Sequence, residues 1–252
     1  MKHKSGDLEL LALGNMVNSS EAMFERRRRI IREARKIMNT HGLDGLNMRS
    51  LSEKADVSTR TIYNAFGSKE TVIALTIQSY YDKFMSNVNF PEDIKTFNGS
   101  LIRQVTITSR DTDVPNYMKA IVSLYFSPTL HADIREVLQS FATWSWSNWL
   151  TRVQALRQLE KGINVPDLLS DLANIQYARI HEWTVGLMDD RAFIKTSLSS
   201  ILVLLTGATR GTAREEARAA LAAINTDSAY MPALIEDVRA RIAAVPLATT
   251  KP

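Results

Sequence analysis

Residues 57–70 read Val57-Ser58-Thr59-Arg60-Thr61-Ile62-Tyr63-Asn64-Ala65-Phe66-Gly67-Ser68-Lys69-Glu70, a run dense in helix starts and stops. Ser58 is a helix-capping residue type, Gly67 a stop and Ser68 a second cap. The spacing therefore predicts a two-turn helix over 59–66, followed at once by a longer one from Lys69 to about Met85. In the short helix only Ile62 and Phe66 fall on one apolar line, which leaves Thr59, Arg60, Thr61, Tyr63 and Asn64 on or near the outer face. Working outward, Asn47 can cap a helix from Met48 to Ala55 that turns Met48, Leu51 and Ala55 inward. Two such helices joined by Ala55-Asp56-Val57 have helix-turn-helix spacing. Asp56 is one of the few non-glycine types that tolerates the left-handed backbone such a turn often needs. Ahead of them, Asn18 with Glu21 resembles a capping box. It opens a helix carrying Met23, Ile30, Ile31, Ala34, Ile37 and Met38 at helical spacing, which Gly42 stops after His41.

The rest of the composition narrows the class. Of 252 residues, 45% are hydrophobic and 23% charged, with 10 Gly and 7 Pro, so collagen-like, low-complexity and wholly disordered chains are excluded. The absence of cysteine excludes disulfides, thiolate nucleophiles and cysteine-ligated metals. Asp7 and Glu9 interrupt any signal core. The late apolar run Ile201–Leu205 is far short of the ~18 residues of a membrane helix. A cytoplasmic chain without membrane contact is expected. The net charge of +4 is unevenly placed: residues 1–86 carry 14 Lys and Arg against 10 Asp and Glu, and residues 87–252 carry no net charge. A basic head on a neutral body suggests anion binding at one end and another task at the other.

Beyond residue 86 the chain reads as helix throughout, with neither period-2 alternation nor hairpin signals. Pro91 and the polar stretch 108–116 are expected breaks. Pro115 opens a helix to Phe126, a long aromatic-rich helix covers about 130–160, and Pro166 starts another to about Leu187. A strongly apolar helix spans Arg191 to Thr209. Thr212 with Glu215 reads as a capping box for a helix to Ile224, and a last helix covers about 231–245. The sum is an all-α protein of ten or eleven helices. Its expected organisation is an arm over 1–18, a helix-turn-helix domain over 19–68, a connecting helix over 69–86 and a larger helical domain over 87–252.

The motif Val57-Ser58-x-x-Thr61-Ile62-Tyr63-x-x-Phe66-x-Ser68-Lys69-Glu70, with Ile31, Ala34, His41-Gly42-Leu43 and Met48-Arg49-Ser50-Leu51 before it, resembles the DNA-binding domain of the TetR family of bacterial transcriptional regulators. About 55 residues carry the likeness. Asp56 stands where that family favours Gly and Ser52 where it favours Ala. The chain is also longer than usual at both ends. More weakly, Glu182-Trp183, Gly186, Phe193 and Leu204-Leu205-x-Gly207 resemble the family's dimerisation helices. The resemblance implies that Arg49 also reaches a base and that Thr61, Tyr63 and Lys69 hold phosphates. It also implies a ligand cavity within the larger domain.

Each site has a plainer reading beside the functional one. Arg60 can pair two hydrogen bonds with guanine and Asn64 two with adenine, or the face around them is simply solvated. Lys69 sits at a helix N-terminus, where anions are favoured. Arg26-Arg27-Arg28-Arg29 covers a full helical circumference, so one or two can touch a DNA backbone while the others are solvated. The arm 1–18 can enter a minor groove or stay disordered. In the long helix, Trp146, Trp149, Leu150, Val153 and Leu156 form one stripe and Val137, Phe141 and Trp144 another. With Met118, Tyr125 and Tyr177 these aromatics can wall a ligand cavity or be plain core. The last apolar helices, with Trp183, Leu198, Ile201, Leu202 and Leu205, can be a four-helix dimer interface or internal core.

Enzymatic motifs are missing. His181-Glu182 has no second His four residues from the first, and Gly207-Ala208-Thr209-Arg210-Gly211 follows a helix and lacks a third Gly. The four His residues have no ligand spacing, so no metal or cofactor is expected. The sequence therefore points to a non-enzymatic homodimer that binds double-stranded DNA at a palindrome and answers a small, hydrophobic effector. A constitutive DNA-binding or scaffold protein is the alternative, and a helical enzyme with a DNA-binding head a third reading.

Overall fold

The computed structural model describes residues 21–42, 45–128, 130 and 132–244. Among them are eleven helices and no strand; Leu159 and Thr209 make one isolated antiparallel bridge. The helices are α1 (Glu21–His41), α2 (Met48–Lys54), α3 (Thr59–Phe66), α4 (Lys69–Asn87), α5 (Phe97–Asp111), α6 (Pro115–Tyr125), α7 (Ala132–Ala155), α8 (Val165–Thr184), α9 (Asp190–Ala208), α10 (Thr212–Thr226) and α11 (Tyr230–Ala243). The protein is all-α, with an N-terminal helix-turn-helix domain and a larger helical domain. Asn18, the arm and the final residues lie outside the described part.

By packing, the described chain divides into two units, residues 21–87 with 123–138 and residues 88–122 with 139–244. In the first, α1 packs on α2 and α4, α2 on α3, and α3 on α4. Ile30, Ala34, Ile37, Leu46, Leu51, Ile62, Phe66 and Val72 form the core. These are mostly the positions that helical spacing turns inward. Gly42 adopts a φ of 68° after α1, the left-handed stop read from the sequence.

In the second unit α9 packs on α8 and α10, and α5 on α11. Trp146, Trp149, Leu150 and Val153 of α7 are buried, whereas Val137, Phe141 and Trp144 are half-buried. Leu156 is 56% exposed, because α7 ends one residue before it and the stripe loses its helical register there. Helix α9 is long and apolar enough, by length and composition, to cross a membrane. Its Phe193, Ile194, Leu198, Ile201, Leu202 and Leu205 are buried in the protein.

Two local expectations are corrected. Thr108 to Asp111 are the last turn of α5 and buried, not part of a break. Two hydroxyls of that helix bond back within it: Thr106 and Thr108 donate to the Ile102 and Gln104 carbonyls at 2.8 and 2.9 Å. Back-bonding of this kind lets hydroxyl residues sit inside a buried helix. The second correction is at α10, where Thr212 is the first helical residue rather than the cap. Gly211 holds the cap position, no side chain caps the helix, and the Thr212–Glu215 capping box does not form.

Candidate nucleic-acid interface

The site is built from short segments whose ends are tied by their own side chains. The Asn47 carboxamide accepts from the Arg49 and Ser50 amides at 2.9 and 3.1 Å, fixing the start of α2. The Ser58 hydroxyl accepts from the Thr61 amide at 3.0 Å and Ser68 from the Thr71 amide at 3.1 Å. A side-chain cap of this kind contributes about 1 kcal/mol, and an eight-residue helix has little else of its own. Asp56 takes a φ of 50° in the turn and Gly67 a φ of 77° after α3, where each chain reversal requires the left-handed region.

The caps and turns leave a polar outer face on α3. Ile62 and Phe66 are buried, Arg60 and Asn64 are exposed, and Tyr63 is 46% exposed. Thr59 and Thr61 are half-buried and already partnered. The Thr59 hydroxyl donates to Ser52 Oγ at 3.2 Å, and the Thr61 hydroxyl shares a 2.8 Å hydrogen bond with Ser58 Oγ. Arg49 projects from α2 with 87% of its side chain exposed, 3.5 Å from Glu53. Lys69 is half-buried in the first turn of α4. Arg60, Tyr63 and Asn64 thus present polar groups and an aromatic edge on one short helix, with the exposed Arg49 on the helix before it, and the two threonines are parts of the scaffold.

The four-arginine run divides as its spacing requires. Arg26 and Arg28 are exposed, with Arg28 paired to Glu25 at 2.8 Å. Arg27 donates to the Ala65 carbonyl at the end of α3 and lies 5.5 Å from the centroid of the Phe66 ring. Burial lowers its pKa from the usual arginine value. Arg29 Nη2 donates to the Asp56 carbonyl at 3.4 Å. These inward contacts depend on partners far away in the chain, and their one trace in the sequence is a run of arginines too long to face one way.

In the second unit, Trp146 and Trp149 form an edge-packed cluster with Phe97, ring centroids 5.4–5.8 Å apart. Beside it lies a buried polar network. The Gln104 carbonyl oxygen accepts from Ser145 Oγ at 2.7 Å and from Trp146 Nε1 at 3.0 Å. Its amide nitrogen donates to Thr108 Oγ1 at 3.2 Å and Gln176 Oε1 at 3.1 Å. Met118 and Tyr177 are buried in this unit and Tyr125 is buried in the first. A cleft of about 610 Å³ lies between α9, α10 and α11, lined by Ala192, Lys195, Ile224, Met231 and Ile235 among others. None of the seven aromatic or methionine positions expected to wall a ligand lines this cleft.

Trp183, Leu198, Ile201, Leu202 and Leu205, the expected dimer-interface residues, are all buried within the single chain. Trp183 stacks on Phe193 at 4.8 Å, and its indole N–H donates to Asp190. On α9, Val203 is 58% exposed, and at Gly207 an added Cβ would meet empty space. Helix α11 is fastened across both ends of α5. Arg241 reaches Glu92 with two bonds of 2.8 and 2.9 Å, and Arg239 reaches Asp113 at 2.7 Å. The Arg241 hydrogen bond holds the Glu92 carboxyl below the usual carboxylate range.

Comparison with known proteins bears on the N-terminal helices. Residues 30–75, which span the core of the helix-turn-helix domain, match the sequence model described as bacterial regulatory proteins, tetR family. No curated protein matches. Solved structures of similar fold include SmeT, the repressor of the Stenotrophomonas maltophilia multidrug efflux pump SmeDEF. It is 17% identical with a TM-score of 0.47, covering 74% of this chain and 92% of its own. RolR in complex with resorcinol is 14% identical with a TM-score of 0.49, covering 79% of this chain and 96% of its own. A TetR transcriptional regulator from Agrobacterium tumefaciens is 14% identical with a TM-score of 0.43, covering 75% and 98%.

Proposed function

We propose that the chain, whose residues 30–75 match the sequence model of the tetR family of bacterial regulatory proteins, is a cytoplasmic, homodimeric, non-enzymatic repressor of that type. In this reading it leaves a palindromic operator when a small hydrophobic or aromatic molecule binds the larger helical domain. One observation carries the DNA half of the reading: α3 is tied at both ends while Arg60, Tyr63 and Asn64 remain free on its outer face.

Arg60 and Asn64 read base edges, since a guanidinium matches guanine and a carboxamide matches adenine with paired hydrogen bonds. Arg49 supports them from α2. Tyr63 and Lys69 hold phosphates, the lysine with the N-terminal amides of α4 behind it. Thr59 and Thr61 set the pose of the helix and lie against the backbone of the duplex. Two α3 helices related by a twofold axis then reach successive major grooves ~34–36 Å apart.

The dimer forms through α8 and α9. Because Trp183, Leu198, Ile201, Leu202 and Leu205 face their own core, they support the surface, and Val203 and Gly207 on the open side of α9 make the contact. The effector is held within the second unit by the region of Met118, Phe141, Trp144, Trp146, Trp149 and Tyr177. Helix α4, which follows α3 in the chain and extends to residue 87, is the lever. A coupling of about 1–3 kcal/mol between effector and operator suffices for release. The α9–α11 cleft is the second candidate for the effector, since its volume suits a drug-sized molecule.

The test is a labelled duplex followed by fluorescence anisotropy while a panel of hydrophobic aromatic compounds is added, with tryptophan emission recorded in parallel. Release of DNA together with quenched tryptophan emission supports the reading. Duplex binding that no compound alters favours the constitutive DNA-binding or scaffold reading instead.

A further inference from the structure

Four consecutive arginines at the start of a DNA-binding domain invite the reading that all of them meet phosphate. The geometry divides them otherwise. Helix α3 ends, like any helix, with carbonyls that its own turns cannot satisfy. Tyr63 O accepts from the Gly67 amide at 2.8 Å and Phe66 O from the Ser68 amide at 2.9 Å. The carbonyl of Ala65 takes its hydrogen bond from Arg27, whose guanidinium also covers the Phe66 ring. A cation at this end is favoured twice, by the charge-assisted bond and by the negative pole of the helix. At the other end, the left-handed Asp56 that launches α3 has its carbonyl held by Arg29. Helix α1 thus reaches both ends of α3 with side chains two residues apart, and neither arginine depends on a nucleic acid for its partner.

We propose that Arg27 and Arg29 are positioning residues that hold α3 at the angle and depth needed to read base edges, and that they are not phosphate ligands. The inference rests on α3 being the DNA-reading element. Its physical content is a separation of two quantities. A phosphate ligand contributes to every duplex alike and to the salt dependence of binding. A clamp on the reading helix contributes only where register against the bases matters, because a tilt of an ångström at Asn64 misplaces a hydrogen bond and leaves the long-range field intact. Burial of Arg27 agrees with this assignment, since a guanidinium packed on Phe66 is not free to swing toward a backbone.

The experiment uses the full-length protein with two probes, a duplex selected by the protein from a random pool and a scrambled duplex of equal length. R27Q and R29Q are compared with R27K and with K69A, each titrated across a range of salt. R27Q is expected to lose about tenfold or more on the selected duplex, the loss of one charge-assisted bond. Its affinity for the scrambled duplex and its salt slope should match wild type. R29Q should show the same pattern more weakly, because its bond is longer, and R27K should recover part of the loss. K69A supplies the contrasting pattern, with both affinities reduced and the slope lowered by about one unit. A slope lowered by one unit in R27Q, with equal loss on both duplexes, overturns the clamp and makes Arg27 a phosphate ligand. Unchanged binding on both duplexes in R27Q and R29Q overturns it as well. If R27Q fails to fold, R27K and R29Q, with circular dichroism as the check, decide the matter. A folded wild type that selects no duplex overturns the reading of α3 itself, and the clamp with it.

Discussion

Replacing Gln104 with leucine tests how the larger domain is held together. The substitution keeps roughly the same volume and a good helix former, but it removes an oxygen shared by two donors and an amide shared by two acceptors. The four partners are not equally stranded. Ser145 can turn its hydroxyl back to a carbonyl of its own helix, and Thr108 keeps its 2.9 Å bond to the backbone of residue 104. Trp146 has no such option, because its fully buried ring is fixed against Phe97 and Trp149. Gln176, equally enclosed, loses the donor to its oxygen. Two buried groups left without partners, at about 1–3 kcal/mol each, predict a loss of about 2–6 kcal/mol. That is a large part of the ~5–15 kcal/mol by which an ordinary domain is stable. Urea unfolding followed by tryptophan emission at fixed protein concentration reads it as a lower midpoint with an unchanged slope. A double-mutant cycle sharpens the attribution. In W146F the donor that Q104L orphans is already gone, so Q104L should cost at least about 1 kcal/mol less on that background. A loss below about 0.5 kcal/mol, or strict additivity with W146F, would refute the network as a source of stability.

Other predictions address the remaining parts. Arg60→Ala should weaken binding to the selected duplex by about 1–3 kcal/mol and relax preference at one base position, measured by repeating the selection with the variant. Val203→Asp should give folded monomers in sedimentation, whereas Leu202→Asp, placing a charge at a fully buried site, should unfold the chain rather than merely dissociate it. Arg241→Gln should cost about 1–3 kcal/mol near neutral pH by stranding Glu92. Because Arg241 depresses the Glu92 pKa, that stabilisation is present above the ordinary carboxylate range and fades as pH falls through the lowered value. The gap between wild type and R241Q should therefore narrow in acid, and a gap that widens below about pH 4.5 contradicts the pairing.

The helix-turn-helix segment was legible because its signals are local. Ser58, Gly67, Ser68 and Asp56 act on their own backbone, and their caps and left-handed turns fall where the residue types place them. Inward positions such as Ile62 and Phe66 follow from the period of the helix. The second unit was less legible because its determinants are distant in sequence. Nothing in Thr108-Ser109-Arg110-Asp111 marks it as buried helix. Its surroundings come from α11, whose Arg239 and Arg241 lie more than a hundred residues away. The inward turn of Arg27 and the burial of Leu202 and Leu205 likewise depend on which neighbour an apolar or charged face meets. A Thr212–Glu215 spacing that matches a capping box also failed to become one, because Gly211 already reverses the chain.

The most direct test of the account is selection of duplexes from a random pool by the wild-type protein at low salt. A dimer carrying two α3 helices should enrich a twofold-symmetric sequence whose half-sites lie about one helical turn apart. Recovery of a pool no different from the input, by a protein shown to be folded, would contradict it.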